Sequence, residues 1–99
     1  MDDLSPTEFY LFQNYPNPFK EKTTIKYCIP YKTIVKLTVY NSEGEMIEKL
    51  VDEIKEAGTY KIEFNLALNN SQLRNADYLY RLEAGNYTGN KQMKLKNNL

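Results

Sequence analysis

Apolar and polar positions alternate with a period of two over most of this chain, the pattern of strands that turn one face to a core. Ile25, Tyr27 and Ile29 alternate with Lys26 and Cys28, and Pro30 ends the run because it brings no backbone donor to a ladder. Val35, Leu37 and Val39 alternate in turn with Lys36, Thr38 and Tyr40. Asn41-Ser42-Glu43-Gly44 then supplies turn chemistry, and Met46 and Ile47 begin the return strand of a hairpin. Further on, Tyr60, Ile62 and Phe64 point inward with Lys61 and Glu63 outward, and Tyr78, Tyr80 and Leu82 face away from Leu79, Arg81 and Glu83. The stretch from Gly85 to Asn90 is expected to turn the chain before Met93 and Leu95 complete a last strand. With an N-terminal strand carrying Phe9 and Leu11, the total is roughly seven, the number that a small two-sheet sandwich uses. The predicted core holds Ile25, Tyr27, Val35, Leu37, Val39, Ile62, Phe64, Tyr80, Leu82 and Met93.

Two segments interrupt the alternation. From Glu48 to Ala57, the spacing of Leu50, Ile54 and Ala57 suits a helical face, but Gly58 stops a stretch too short for a helix to hold unaided. The expectation is a strand that ends near Val51 and an irregular crossing after it. Between Asn65 and Asn75 the chain is rich in Asn, with Leu66, Leu68 and Leu73 expected to tuck onto the edge of the core. Neither segment suits a parallel crossover, which needs a dozen or more residues. The fold class is therefore all-β, with a sandwich over residues 9–96, a linker at 1–8 and a tail at 97–99.

Composition narrows the function. A chain of 99 residues has room for one core. Its 13 basic and 13 acidic residues cancel, so no overall field steers it to nucleic acid or to an anionic membrane. No apolar run approaches the roughly 20 residues that cross a bilayer as a helix, so no direct membrane insertion is expected. The opening Met1-Asp2-Asp3-Leu4-Ser5-Pro6 lacks the basic flank and apolar stretch of a signal peptide. The chain therefore reads either as cytoplasmic or as one domain of a longer exported precursor. Cys28 has no second cysteine to pair with and reads as a small buried or half-buried side chain.

Candidate chemistry is sparse. There is no His, which removes Ser-His and Cys-His nucleophile systems and mixed zinc sites. Asp2-Asp3 and Asp52-Glu53 read as solvated acids, and the area around Asp52 offers too few oxygen ligands for calcium. Gly44, Gly58, Gly85 and Gly89 are isolated turn glycines, not a phosphate cradle. No catalytic residue, metal or cofactor is expected, and the chain is read as a non-enzyme and a monomer. Among nine tyrosines, Tyr27, Tyr60, Tyr78 and Tyr80 fall on the core face, while Tyr40 and Tyr87 are candidates for exposure. Lys alternates with aromatic residues in several strands; that is first of all how a half-solvated strand reads, and only secondarily a platform for sugars or bases. Asn69-Asn70-Ser71 and Asn86-Tyr87-Thr88 fit the N-glycosylation pattern, which is frequent by chance.

Gln13-Asn14-Tyr15-Pro16-Asn17-Pro18-Phe19 stands out. Pro16 and Pro18 restrict the backbone, Asn14 and Asn17 can bond it locally, and Tyr15 and Phe19 offer anchors, so a rigid loop docked on one end of the core is expected. This motif is followed by Thr24 to Pro30, by Val39-Tyr40-Asn41 with Gly44, and by Ala57-Gly58-Thr59-Tyr60. Tyr78 to Gly85 and the closing Lys91-Gln92-Met93-Lys94-Leu95 complete the series. Together they resemble the type A C-terminal sorting domain of the type IX (Por) secretion system. Lys20-Glu21, Phe64 and Asn75-Ala76 depart from that family's pattern, although Phe64 keeps an aromatic ring where Trp is usual.

The resemblance implies an immunoglobulin-like sandwich at the end of a larger secreted or cell-surface protein of Bacteroidota-type bacteria. It also implies a fused N-terminal cargo and recognition by outer-membrane secretion and sortase machinery. The chain is less closely similar to the immunoglobulin-like domain of flagellar hook-capping proteins, a structural module; that or a divergent protein-binding domain is the alternative reading. Lys91, Lys94 and Lys96 are the candidate recognition residues, because Gly85 to Leu99 carries no acid; Lys94 and Lys96 should form a basic stripe beside an exposed strand edge. That edge-guarding is an ordinary duty of lysine makes the stripe a candidate and no more.

Overall fold

The computed structural model describes residues 6–65 and 76–96. Within them the chain forms seven strands: β1 (Tyr10–Leu11), β2 (Lys22–Ile29), β3 (Thr33–Asn41), β4 (Met46–Lys55), β5 (Gly58–Asn65), β6 (Ala76–Ala84) and β7 (Tyr87–Leu95). The smaller sheet has the order β1-β2-β5 and the larger β4-β3-β6-β7, with every strand pair antiparallel. The all-β sandwich read from the period of two is the architecture observed. Leu66, Leu68 and Leu73 lie outside the described residues.

The core forms where the inward faces of the two sheets meet. Ile25, Tyr27, Ile29 and Phe64 come from the smaller sheet, and Val35, Leu37, Val39, Val51, Tyr80, Leu82, Met93 and Leu95 from the larger, all buried. Of the predicted core only Ile62 falls short: it is half-buried against the cluster, while Phe64 on the same face of β5 is fully buried. Tyr87, expected to be exposed, stacks on Phe9 with ring centroids 5.3 Å apart and packs against the core. Tyr40, expected likewise, is half-buried beneath the Arg81 guanidinium, 5.1 Å from its ring centroid.

The structure corrects the reading of two segments. β4 does not stop at Val51 but continues to Lys55, and the crossing to the other sheet takes only Glu56 and Ala57. The ladder with β3 slips twice, leaving Leu50 unmatched between Lys49 and Val51 and Ile47 unmatched between Met46 and Glu48. Such bulges bring Ile47, Leu50 and Val51 all onto the core, whereas Ile54 and Ala57, whose spacing from Leu50 suited a helical face, are exposed. At the other segment, the turn is Gly85-Asn86 alone, since Ala84 already pairs with Tyr87. Gly85 has φ +58, and a Cβ there would lie 3.0 Å from the Tyr31 hydroxyl, so this position favours glycine.

The turn between β3 and β4 is organised by one side chain. Asn41 Oδ1 accepts from the backbone N–H of Glu43 and of Glu45, each at 2.9 Å, and Gly44 takes the left-handed conformation at φ +86.

Buried tyrosines make the sandwich sensitive to alkali. The Tyr80 ring is fully buried, and its hydroxyl donates to the Phe12 carbonyl at 2.6 Å. Burial pushes the Tyr80 hydroxyl upward, and burial aided by the Tyr60 and Glu53 charges pushes Tyr27 up to about 12. Because the folded values lie above the unfolded value of 10.0, this stabilisation is intact below that pH and is lost as pH rises through about 12. Urea midpoints should therefore be steady on the neutral side of pH 10 and fall beyond it. A midpoint unchanged up to about pH 12 would show that neither ring is held away from solvent.

Candidate functional site

The segment 13–19 links the two sheets along one side of the sandwich. Its first half belongs to the smaller sheet: Tyr15 and Thr24 exchange backbone hydrogen bonds of 2.9 Å in each direction. Its second half belongs to the larger sheet, where Phe19 N–H donates to the Lys94 carbonyl and Lys96 N–H donates to the Phe19 carbonyl, both at 2.9 Å. Phe19 thus adds a short parallel bridge beside Leu95, and its ring enters the core at 6.2 Å from Phe64. Both Tyr15-Pro16 and Asn17-Pro18 peptide bonds are cis.

Side chains complete the connection. Asn14 is buried; its Nδ2 donates to the Pro16 carbonyl at 3.1 Å and to Thr23 Oγ1 at 3.0 Å, and Thr23 Oγ1 donates to the same carbonyl at 2.8 Å. Asn17 Oδ1 accepts from Lys94 N–H at 2.9 Å. Gln13 Nε2 reaches the Gln92 carbonyl at 2.6 Å and Asn14 Oδ1 at 2.8 Å. Tyr15, expected to be an anchor, instead leaves its ring 80% exposed; Phe19 is the anchor. Among the described residues no buried side-chain nitrogen or oxygen lacks a partner.

These contacts change the surface around the candidate lysines. The edge of β7 is covered, not exposed, at Gln92, Lys94 and Lys96, because Gln13, Asn17 and Phe19 bond to it there. Lys94 and Lys96 do lie on the solvent side of β7, with Met93 and Leu95 buried between them. Lys94 Nζ stands 4.0 Å from Asp77 Oδ1, so β6 supplies the acid that the local sequence lacks. Lys91 is separate from both, half-buried opposite Tyr80 in the ladder.

Two participants were not singled out from the sequence, Gln13 as the tie to β7 and Thr23 as the receiver of the loop. Thr23 had a readable signal: it shares the inward face of β2 with Ile25 and Tyr27, and a polar group there must find a partner. The described residues contain no cluster of His, Cys, Asp and Glu able to hold a metal, and Cys28 is half-buried with Sγ 3.6 Å from Thr59 Oγ1. Among the described residues the arrangement offers surfaces and a clasp.

The chain matches the family described as the Secretion system C-terminal sorting domain over residues 13–96. That span begins at Gln13 and ends at Lys96, the two limits of the clasp just described. No curated protein and no solved structure matches it. A sorting domain is a non-catalytic kind of family, and it implies a secreted or cell-surface precursor. With its motif, its two-sheet fold and a family match that covers residues 13–96, the chain belongs to the C-terminal sorting domains of the type IX secretion system.

Proposed function

We propose that this domain directs an attached cargo protein through the outer membrane to the cell surface, and that β7, held by the 13–19 clasp, is the element read by the export and sortase machinery. The family match across both partners of the clasp carries this reading. Machinery that meets many different cargoes needs a feature independent of them, and a strand fixed on both sides presents the same side chains each time. Lys94 and Lys96 are the proposed contacts on the outer face, while Asn14, Tyr15, Pro16, Asn17, Pro18 and Phe19 form the conformational element behind them. Lys91 has a lesser part, because its side chain is on the inward parity of β7.

A fusion to a reporter with its own signal peptide, expressed in a bacterium with a working type IX system, tests this. The intact domain should deliver the reporter to the surface, and deletion of residues 91–99 should abolish delivery. Lys94→Glu with Lys96→Glu should reduce it severalfold while the periplasmic protein stays folded. Delivery lost on deletion but unchanged by charge reversal rejects the lysine contacts. Equal delivery by all variants, or none by the intact domain, rejects the sorting role.

A further inference from the structure

The outer face of the smaller sheet carries a pair of lysines that the proposed sorting contacts do not use. Lys26 and Lys61 stand directly opposite one another in the β2–β5 ladder, a placement in which like charges repel. The ion pairs among the described residues go to other lysines, and Glu63, the acid on the same face of β5, is taken by Lys22 at 3.6 Å. Beside the pair runs an aromatic border. Lys26 Nζ lies 4.7 Å from the centroid of the Phe12 ring, and Tyr15 presents a ring that is 80% exposed. Phe12, Gln13, Tyr15, Thr24, Lys26 and Lys61 together line one shallow depression.

We propose that this depression binds an acidic carbohydrate, a short oligosaccharide bearing carboxylates. An exposed ring is a surface for the C–H face of a sugar, and two adjacent ammonium groups without carboxylates call for a ligand that brings its own. The backbone groups of β2 in this region are committed to β5 and to the 12–15 segment, so a ligand on this face meets side chains only. That disfavours an extended acidic peptide, which gains its affinity from main-chain bonds along a strand edge. A chain of zero net charge with two free lysines on this face also lacks the broad positive field that a nucleic-acid backbone demands. The Thr24 hydroxyl and Gln13 Oε1, an acceptor only because the Gln13 amide N–H groups are committed to Gln92 and Asn14, add neutral hydrogen-bonding groups suited to hydroxyls. The site shares Gln13 and Tyr15 with the clasp but does not rest on the sorting reading, and its test involves no export.

The experiment titrates the isotope-labelled 99-residue chain with oligogalacturonate and follows backbone amide shifts. Saturable shifts at Tyr15, Thr24, Lys26 and Lys61 are expected, with affinity falling as salt rises. Affinity should drop about tenfold for the methyl-esterified sugar, and by a similar factor for the Lys26→Gln, Lys61→Gln double variant. Tyr15→Ala should weaken binding about as much, and Tyr15→Phe, which keeps the ring, should restore it. All of these changes are on the surface, and the unbound spectrum verifies that each variant is folded. The proposal is overturned by an absence of saturable shifts, by shifts centred on another face, or by lysine variants that bind normally. It is equally overturned if polyglutamate or a single-stranded oligonucleotide binds these residues as tightly as the sugar does.

Discussion

Replacing Phe19 with alanine is expected to lower the unfolding free energy by about 3–5 kcal/mol. The ring is fully buried and meets Phe64 edge-on, so truncation opens a cavity between the two sheets, not a dent in the surface. Its backbone also bonds on both sides to β7, through the Lys94 carbonyl and the Lys96 N–H, and those bonds depend on the ring to hold the segment in place. Phe19→Leu, which refills most of the volume, should recover much of the loss. Urea unfolding monitored by far-ultraviolet circular dichroism measures both. A loss below about 1 kcal/mol for Phe19→Ala would mean that the clasp rests on its polar contacts alone.

Leu37→Ala should destabilise by about 2–5 kcal/mol. Leu37 is at the middle of β3, an interior strand of the larger sheet, and it stands between Val51 of β4 and Leu82 of β6, with all three buried. A site held from both sides collapses little around a missing isobutyl group, which puts the change toward the upper part of that range. Ile34 is on the same strand and faces outward with 55% exposure, so Ile34→Ala should alter stability by only about 0.5 kcal/mol. Similar losses from the two substitutions, measured by urea unfolding, would contradict the assignment of inner and outer faces.

Where strands are regular, their faces were legible from residue type alone. Ile25, Tyr27 and Ile29 in β2 and Tyr80 and Leu82 in β6 occupy the inward positions that alternation assigns. β4 was not legible, because its two slips break the period and because an edge strand carries charge on both sides, here Lys49, Asp52 and Glu53. β7 was read too short because Gly89 and Asn90 look like turn residues, although a two-residue turn at Gly85-Asn86 had already reversed the chain. The Pro16 to Phe19 segment could be read as rigid and docked. Its destination could not be read, because hydrogen bonds between residues separated by 77 and 79 positions leave no periodic trace. For the same reason the lysines of β7 looked unopposed until β6 placed Asp77 beside Lys94. The family pattern supplied the biological role, which no single contact encodes.

The clasp joins residues from opposite ends of the sequence, and a chain leaves the ribosome in order. Asn17 is made before Lys94, which follows 77 residues later, and until then its side-chain oxygen has no strand edge to hold. Until then the side of the sandwich between β1 and β7 stays open, and a product broken off before β7 never acquires Phe19 on its larger sheet. If β7 is the element read, as proposed above, a reader that docks on the clasped strand also registers that β7 has been made, and a product broken off before it carries no valid ticket.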